Sequence, residues 1–266
     1  MSNLPCEILD HIVDLLHNST TPLRNCCLVS KSWIPRARTH LFAEVVFQTA
    51  GSHESWKKTF PDPSTSPARY TKTLFIRRPQ VVTATDAEAG CWISGFPHLV
   101  RLVMIGRSRQ RFARGWGDTF ALFHGISPVI KSLRVDFVLF RSPQLFDLIL
   151  SFPLLEDLSV TDCCHLPVEP DGSLNRPSTP THPSSLTMFT GSLKLDMRGG
   201  MEPIAHRLLS LSGGIHFRKL ILKLSCGEDI PLATSFVEKC SHTLESLDIT
   251  YDSSSGMSVT SAFPRK

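Results

Sequence analysis

Cysteine and histidine side chains at residues 163–165 are the first candidates for chemistry in this chain of 266 residues. Cys163, Cys164 and His165 are residue types that bind transition metals. Side chains of adjacent strand residues point to opposite faces, however, and no second ligand pair lies at a suitable spacing. We therefore expect no metal site and no cofactor. The sequence has eight cysteines, which we expect to be reduced and mostly buried.

Four arginines form a local basic group at Arg107, Arg109, Arg111 and Arg114. The surrounding residues 51–120 carry 11 Lys and Arg against 5 Asp and Glu, a net charge of +6, whereas the whole chain is +4. Because arginine binds phosphate and carboxylate bidentately, these four are candidate substrate-binding residues for an acidic or phosphorylated target. A solvated basic loop is the alternative. Nucleic acid is not favoured, since interleaved aromatic residues are lacking.

Motifs of catalysis and nucleotide binding are absent from the sequence. It contains no G-x-S-x-G, no G-x-x-x-x-G-K, no H-E-x-x-H and no G-x-G-x-x-G. His206 falls within an amphipathic helical pattern, so we expect it on a helix surface rather than as a catalytic base. The chain is therefore not expected to be an enzyme.

Composition indicates a globular protein outside the membrane. Apolar residues make up 41% and charged residues 20%, which is enough for a packed core. No run of about 18 apolar residues exists, and residues 1–7 lack the basic region of a signal peptide. We expect no membrane partner, and a cytoplasmic or nuclear location, or both.

Three short helices are predicted at the N-terminus, at about residues 5–17, 21–29 and up to Leu41, with Pro35 in the first turns of the third. The first helix carries two apolar stripes, one of Leu4, Ile8, Ile12 and Leu15 or Leu16, the other of Leu9, Val13 and Leu16. A three-helix bundle needs only one of them. The other stripe is expected to dock on a partner or, alternatively, on the rest of this chain.

Two segments in this region closely resemble an F-box of the fungal type. They are Leu4-Pro5-x-Glu7-Ile8-Leu9 and Cys27-Leu28-Val29-Ser30-Lys31-x-Trp33, followed by Leu41-Phe42. The resemblance covers about 44 of the 266 residues and implies a three-helix bundle that binds a Skp-family adaptor and, through it, a cullin. It assigns adaptor contacts to Leu4, Pro5, Ile8, Leu9, Leu28, Val29 and Trp33, and core positions to Ile12, Leu16 and Leu41. The linker at residues 17–21 departs from the family pattern.

Short apolar segments of the form L-x-x-L-x-L recur through the rest of the chain. Their last apolar residues are 29, 28, 31, 25, 35, 27 and 27 residues apart, a spacing typical of leucine-rich repeats. These last apolar residues are Phe47, Ile76, Met104, Val135, Val160, Leu195, Leu222 and Ile249. Helical patterns lie between the segments, at about residues 118–126, 142–149, 204–211 and 232–240. Another α/β arrangement remains the alternative, because the repeats are degenerate.

The predicted architecture is α/β: a short N-terminal three-helix F-box followed by an irregular leucine-rich-repeat solenoid, with parallel strands inside and helices outside. The F-box bundle is expected at residues 1–43, the solenoid at 44–252 and a flexible tail at 253–266. A proline-rich insertion is expected at residues 167–185. Residues 52–68 are predicted to form a second, polar loop.

The predicted function is substrate recognition in an SCF-type (Skp–cullin–F-box) E3 ubiquitin ligase, in ubiquitin-dependent protein degradation. The F-box would bind the adaptor, the repeats would bind an unknown target protein, and no residue of this chain would do covalent chemistry. Two alternatives stay open. One is an adaptor-binding scaffold with no role in ubiquitylation. The other is a binding protein for acidic, phosphorylated or nucleic-acid partners through the basic region 101–114.

Overall fold

Three helices open the part of the chain described by this computed structural model, which comprises residues 5–62, 65–77, 95–106, 126, 129–140, 142–165, 189–198, 200–251 and 258–261. Helix α1 spans Cys6–Leu15, α2 spans Thr20–Val29 and α3 spans Ile34–Leu41. Pro35 lies in the first turn of α3, where the missing N–H has no helical partner to lose. The Ser30 hydroxyl accepts a hydrogen bond from the Ser32 N–H and opens the 3₁₀ turn Lys31–Trp33 before α3.

A small core of its own joins these three helices. Four side chains are buried in it, one from α1, two from α2 and one from α3: Val13, Leu23, Cys26 and Ala37. Leu16, Cys27, Trp33 and Leu41 pack around them and are partly buried. A core of this size has room for only one face of each helix, so the opposite faces are left for solvent or a partner.

Strands make up most of the remaining structure. They are β1 (Glu44–Phe47), β2 (Thr73–Arg77), β3 (Arg101–Ile105), β4 (Ser132–Asp136), β5 (Leu139–Phe140), β6 (Asp157–His165), β7 (Ser192–Arg198), β8 (Lys219–Leu224), β9 (Ser246–Tyr251) and β10 (Ser258–Ser261). Eight of them are parallel and neighbour one another in chain order, β1-β2-β3-β4-β6-β7-β8-β9. Strand β5 pairs with β6, and β10 is antiparallel to β9.

The register of this sheet aligns the recurring apolar residues in two columns on one face. The first column is Val45, Leu74, Leu102, Leu133, Leu158, Leu193, Leu220 and Leu247. The second is Phe47, Ile76, Met104, Val135, Val160, Leu195, Leu222 and Ile249, the same eight residues that the repeat spacing singles out. From β1 to β8 both columns are buried. The number of residues between successive strands therefore varies only in the connecting segments, and the register of the strands stays the same.

Helices cover the face that carries these columns. They are α4 (Ala50–Thr59), α5 (Ser142–Leu150), α6 (Glu202–Leu209) and α7 (Asp229–Cys240). The last three contribute buried side chains to the same core as the columns: Leu145, Leu148 and Ile149, then Ile204, Ala205 and Leu208, then Leu232, Ala233, Phe236 and Cys240. The fold is thus α/β with a parallel sheet. Among the helices of the described ranges, none has the length and hydropathy needed to cross a bilayer.

Aromatic side chains connect the N-terminal helices to the first strands. Trp56 of α4 packs against Phe60 at 4.8 Å, Phe47 at 5.8 Å, Phe96 at 6.1 Å and Phe42 at 6.3 Å between ring centroids. Phe42 directly follows α3, whereas Phe47 and Phe96 belong to the sheet core. Residues 52–68 are therefore not a polar loop as predicted, since most of α4 lies within them and its tryptophan is part of the packing.

Two other predictions concern the proline-rich insertion and the C-terminal tail. The proline-rich insertion at 167–185 lies outside the described residues, as does nearly all of the helix expected at 118–126. The range 253–266 was expected to be a flexible tail, but it contains strand β10, which pairs with β9 from Ser258 to Ser261. Backbone pairing to an open sheet edge can order a polar segment that has no amphipathic pattern.

A buried carboxylate joins two successive strand–helix units. Asp229, the first residue of α7, accepts hydrogen bonds from the backbone N–H groups of Met201 at 2.9 Å, Ser225 at 2.8 Å and Cys226 at 3.2 Å. Gly200 has φ = +96°, and a Cβ there would lie 3.3 Å from the Asp229 carboxylate. Glycine suits this position because it readily adopts a positive φ and has no Cβ to crowd the carboxylate.

Replacing Asp229 with Ala should destabilise the fold by about 3 kcal/mol, because three backbone donors lose a charged acceptor in a largely buried place. Urea denaturation followed by circular dichroism measures this loss. Glu228→Ala is the matched control, since the exposed Glu228 side chain makes no capping hydrogen bond to α7. Equal stability of the two variants would contradict the role given to Asp229.

Candidate functional site

One apolar stripe of α1 faces outward and the other faces the bundle core. Val13 is buried and Leu16 packs beside it, whereas Ile8, Ile12 and Leu15 are exposed. Residues three and four apart lie on the same side of a helix, so these three form a continuous stripe on its outer side. The sheet does not cover this stripe. Two expectations exist for the surplus apolar surface, and within the described residues the stripe does not dock on the rest of the chain.

The C-terminal end of α2 exposes two more apolar side chains. Leu28 is 85% exposed and Val29 is 68% exposed. Both residues precede Ser30, where the backbone turns extended and the helix ends. Large aliphatic side chains this exposed are costly in water, and they mark interaction surfaces more often than chance.

The seven residues assigned to adaptor contact fall into three groups. Pro5, Ile8, Leu28 and Val29 are exposed, with Ile8 at 47%. Leu9 and Trp33 are half-buried, and Trp33 packs against the bundle core, so they support the helices as well as reaching the surface. Leu4 lies outside the described residues.

The expectation that Ile12 is a core residue is wrong. Ile12 shares a helix face with Ile8 and Leu15, which turns its side chain outward, and it is exposed. Leu16 and Leu41, the other two expected core residues, do pack against the bundle core.

An ion pair fixes α1 against α3. The Asp14 carboxylate accepts hydrogen bonds from Nε and Nη2 of Arg36, each at 2.5 Å, and lies 2.8 Å from Nε2 of His40. The Arg36 guanidinium, and after it His40, holds the pKa of the Asp14 carboxyl well below its usual range. This pair links α1 to α3 at the surface of the bundle.

The sheet face opposite the helices is the second candidate surface. Its side chains alternate with the two buried columns and change character along the sheet. On β1 to β3 they include the apolar Val46, Phe75, Val103 and Ile105, of which only Val46 is exposed, together with the polar Glu44, Thr73, Arg77 and Arg101. From β4 onward they are mostly polar or charged: Arg134, Asp136, Ser159, Thr161, Lys194, Asp196, Lys223 and Asp248.

Two ion pairs lie on this strand face. Nε of Arg134 donates to the buried Asp136 carboxylate at 2.6 Å, and Lys223 lies 3.5 Å from Asp196. The second carboxylate oxygen of Asp136 is buried and has no hydrogen-bond partner among the described residues. The sequence prediction did not single out these residues, although polar residues alternating with the apolar columns would have been a signal for them.

Two groups of candidates from the sequence remain, the four arginines and the residues at 163–165. Arg107, Arg109, Arg111 and Arg114 lie outside the described residues. Cys163 is buried, and its thiol lies 3.3 Å from the backbone oxygens of Val135 and Thr161. In the described ranges no three His, Cys, Asp or Glu side chains are grouped to hold a metal ion.

Other expectations about single side chains can be compared with the structure. His206 is exposed on α6, 3.8 Å from Glu202, as expected of a helix-surface residue. Among the six cysteines described as free thiols, Cys26, Cys163 and Cys240 are buried and Cys6 is exposed. Burial raises the pKa of the Cys240 thiol.

Comparisons with protein-family models, curated proteins and solved structures find no match to this chain. The resemblance to an F-box is therefore carried by the residues of the two N-terminal segments alone.

The Asp14–Arg36 pair predicts that the helical bundle loses stability in acid. The folded-state pKa of Asp14 is below its ordinary value of about 4, so the pair stabilises the fold above about pH 4. That contribution is lost as the pH falls toward the folded-state pKa. Hydrogen exchange of residues 5–42, corrected for the intrinsic exchange rate, should show increased opening below about pH 4.

Asp14→Asn should flatten this pH dependence, because the neutral amide does not titrate. Glu7→Gln is the matched control on the same helix and should leave it unchanged. A wild-type bundle whose opening does not depend on pH down to about pH 2 would contradict the assignment.

Proposed function

We propose that this chain is the substrate-recognition subunit of an SCF-type E3 ubiquitin ligase, with α1–α3 as its F-box. The observation that carries the proposal is the exposure of Ile8, Leu28 and Val29. These side chains are left outside a bundle whose core is made by other residues. They are also residues that the F-box resemblance assigns to the adaptor.

An adaptor would gain free energy chiefly by covering this apolar surface. Burying one large aliphatic side chain is worth about 1.5–3 kcal/mol, and interfaces concentrate their energy in a few such anchors. Ile12 and Leu15 extend the same outer side of α1 and would enlarge the contact. The Asp14–Arg36 pair would keep α1 in place when it docks.

We further infer that the strand–helix units are irregular leucine-rich repeats stacked as a solenoid. Three features support this inference: strands follow one another in chain order, their apolar residues stay in register, and α5, α6 and α7 cover one face. Cys163 stands three residues beyond Val160, where such repeats carry Asn or Cys. Its buried thiol lies against the backbone oxygen of Val135 in the neighbouring repeat.

The strand face would then be the surface that holds a target protein. Its side chains offer hydrophobic contact at Val46 and charged contacts from β4 onward, with Arg134 and Lys223 placed among acidic neighbours. The chain would act by proximity: holding a target near the ubiquitin-carrying subunits turns an encounter between free molecules into a local transfer. Such a role requires no catalytic residue in this chain.

Leu28→Glu and Ile8→Asp should each weaken binding of a Skp-family adaptor by roughly 30-fold or more, as expected when a charge replaces an interface anchor. Titration calorimetry with purified adaptor measures this. Both side chains are exposed, so the fold should persist by circular dichroism. These positions separate binding from folding better than Leu9, which is half-buried.

Leu154→Asp is the matched control, because Leu154, in the turn between α5 and β6, is 50% exposed, close to the 47% of Ile8. It should bind the adaptor like the wild type. The F-box assignment fails if wild-type protein does not bind the adaptor, or if Leu28→Glu binds it unchanged.

The receptor role is tested by reconstitution with adaptor, cullin, RING subunit and ubiquitin-conjugating enzyme. Proteins that co-purify with the full chain should gain ubiquitin in its presence and not with the Leu28→Glu variant. If the adaptor and cullin assemble on the chain but no bound protein is modified, the scaffold alternative holds. Binding to nucleic acid with a steep salt dependence would instead favour the basic-region alternative.

A further inference from the structure

The core is less completely covered at the last parallel strand than elsewhere. Leu220 and Leu222 of β8 are fully buried, whereas Leu247 and Ile249, their neighbours in register on β9, are only partly buried. Helix α7 follows β8 and packs over that strand. In the described residues β9 leads into β10 with no helix following it. The inner face of β9 is therefore left partly open.

An apolar groove of about 450 Å³ lies at this end, between α7 and the ends of β8 and β9. Leu224, Ile249 and Tyr251 line its strand side, and Ile230, Val237 and Glu238 line its helix side. Ile230 is 52% exposed. The groove lies at the opposite end of the sheet from the N-terminal helices, so it is separate from the proposed adaptor contacts.

The structure favours a helix over a strand as the occupant. Strand β10 already pairs with β9 from Ser258 to Ser261, so an extended segment cannot hydrogen-bond to that edge of β9. Helices α5, α6 and α7 pack side by side over the same sheet face. A helix lying in the groove beside α7 would continue that layer and cover Ile249.

The charge around the groove indicates the polar face of that helix. Asp229 is buried among its backbone donors and Asp248 lies on the other face of the sheet, so neither faces the groove. Glu238 lines the groove, Glu228 and Glu245 are exposed just before α7 and β9, and residues 225–251 contain only one Lys or Arg, in a chain whose net charge is +4. That residue, Lys239, donates from its ammonium to the backbone oxygen of Leu209 at 2.8 Å. A second copy docking through the same end would place acid against acid, whereas lysine or arginine would be attracted.

We propose that this groove binds an amphipathic helix of a partner protein whose polar face is basic. The apolar side of the helix fills the groove, and its Lys or Arg residues lie near Glu238 and the neighbouring acidic side chains. The site does not depend on the adaptor or on the F-box assignment. The helix proposed to bind at this end of the sheet is a different ligand from the target protein proposed for the strand face.

The test uses the full chain and a fluorescent helical peptide of about five turns, with Leu at positions i, i+3, i+4 and i+7 and Lys on the other side. Two control peptides replace Lys by Glu or scramble the pattern. Fluorescence anisotropy should show binding of the basic amphipathic peptide, weakened by added salt. The proposal is overturned if the three peptides bind alike or if none binds.

Substitutions inside and outside the groove test whether the basic peptide binds there. Thr234 lines the groove and is exposed, so Thr234→Trp should fill it and weaken the basic peptide about tenfold or more, while Ser241→Trp, outside the groove, should not. Glu238→Lys should weaken binding by up to about fivefold, and Glu202→Lys on α6 should not. Unchanged binding to Thr234→Trp would overturn the proposal.

Light scattering of the purified chain tests whether a second copy of the chain, rather than a partner helix, fills the groove. A monomer whose mass is unchanged by Thr234→Trp is expected. A dimer that Thr234→Trp dissociates would show that a second copy fills the groove, and would overturn the proposal. Adaptor binding by Thr234→Trp, measured in parallel, should equal that of the wild type, so failure here and failure of the proposed function are distinguishable.

Discussion

The parallel register of eight strands is the constraint on which the rest of this structure depends. Each strand contributes two apolar residues at alternate positions, and the backbone ladder places them directly beside those of its neighbours. A shift of one residue in any strand would turn its apolar pair away from the core. The segments between strands differ in length because nothing in the ladder restricts them, so insertions and helices accumulate there and leave the columns intact.

The core between the sheet and its helices is covered differently at the first and at the last parallel strand. At the first strand, Trp56 and its neighbouring phenylalanines fill the space beside Phe47, and the N-terminal helices are attached through Phe42. At β9 the edge is paired by β10, but the inner face keeps a groove. Pairing satisfies backbone hydrogen bonds without covering side chains, so an edge can be closed while its core remains partly open.

The helical bundle illustrates a limit on what a small unit can bury. Its core holds only four buried side chains, so the second stripe of α1 and the end of α2 have no room inside. The Asp14–Arg36 pair, a polar contact at the surface of the bundle, links α1 to α3. In the proposed function, stability and adaptor binding would depend on different residues of the same helices, so that each could be changed by mutation without the other.

Much of the secondary structure of this protein could be predicted from the spacing of apolar residues along the sequence. The repeat spacing identified the eight residues of the second column, seven of which are buried, and local signals of apolar spacing and helix caps located α1, α2, α3, α5, α6 and α7, because these signals depend on neighbouring residues only. Leu28 and Val29 were singled out by the F-box resemblance. The family assignment and the function were inferred from motif resemblance and stay predictions.

Contacts between residues distant in the chain were decided by the tertiary structure alone. Four features each depend on a partner from another element: the pairing of Asp14 with Arg36, the packing of Trp56, the acceptor role of Asp229 and the ordering of β10. Ile12 turns outward because other side chains fill the bundle core. A single sequence records which residues are apolar or charged. It does not record which partner reaches them, since that follows from chain topology and from the space left once the core is filled.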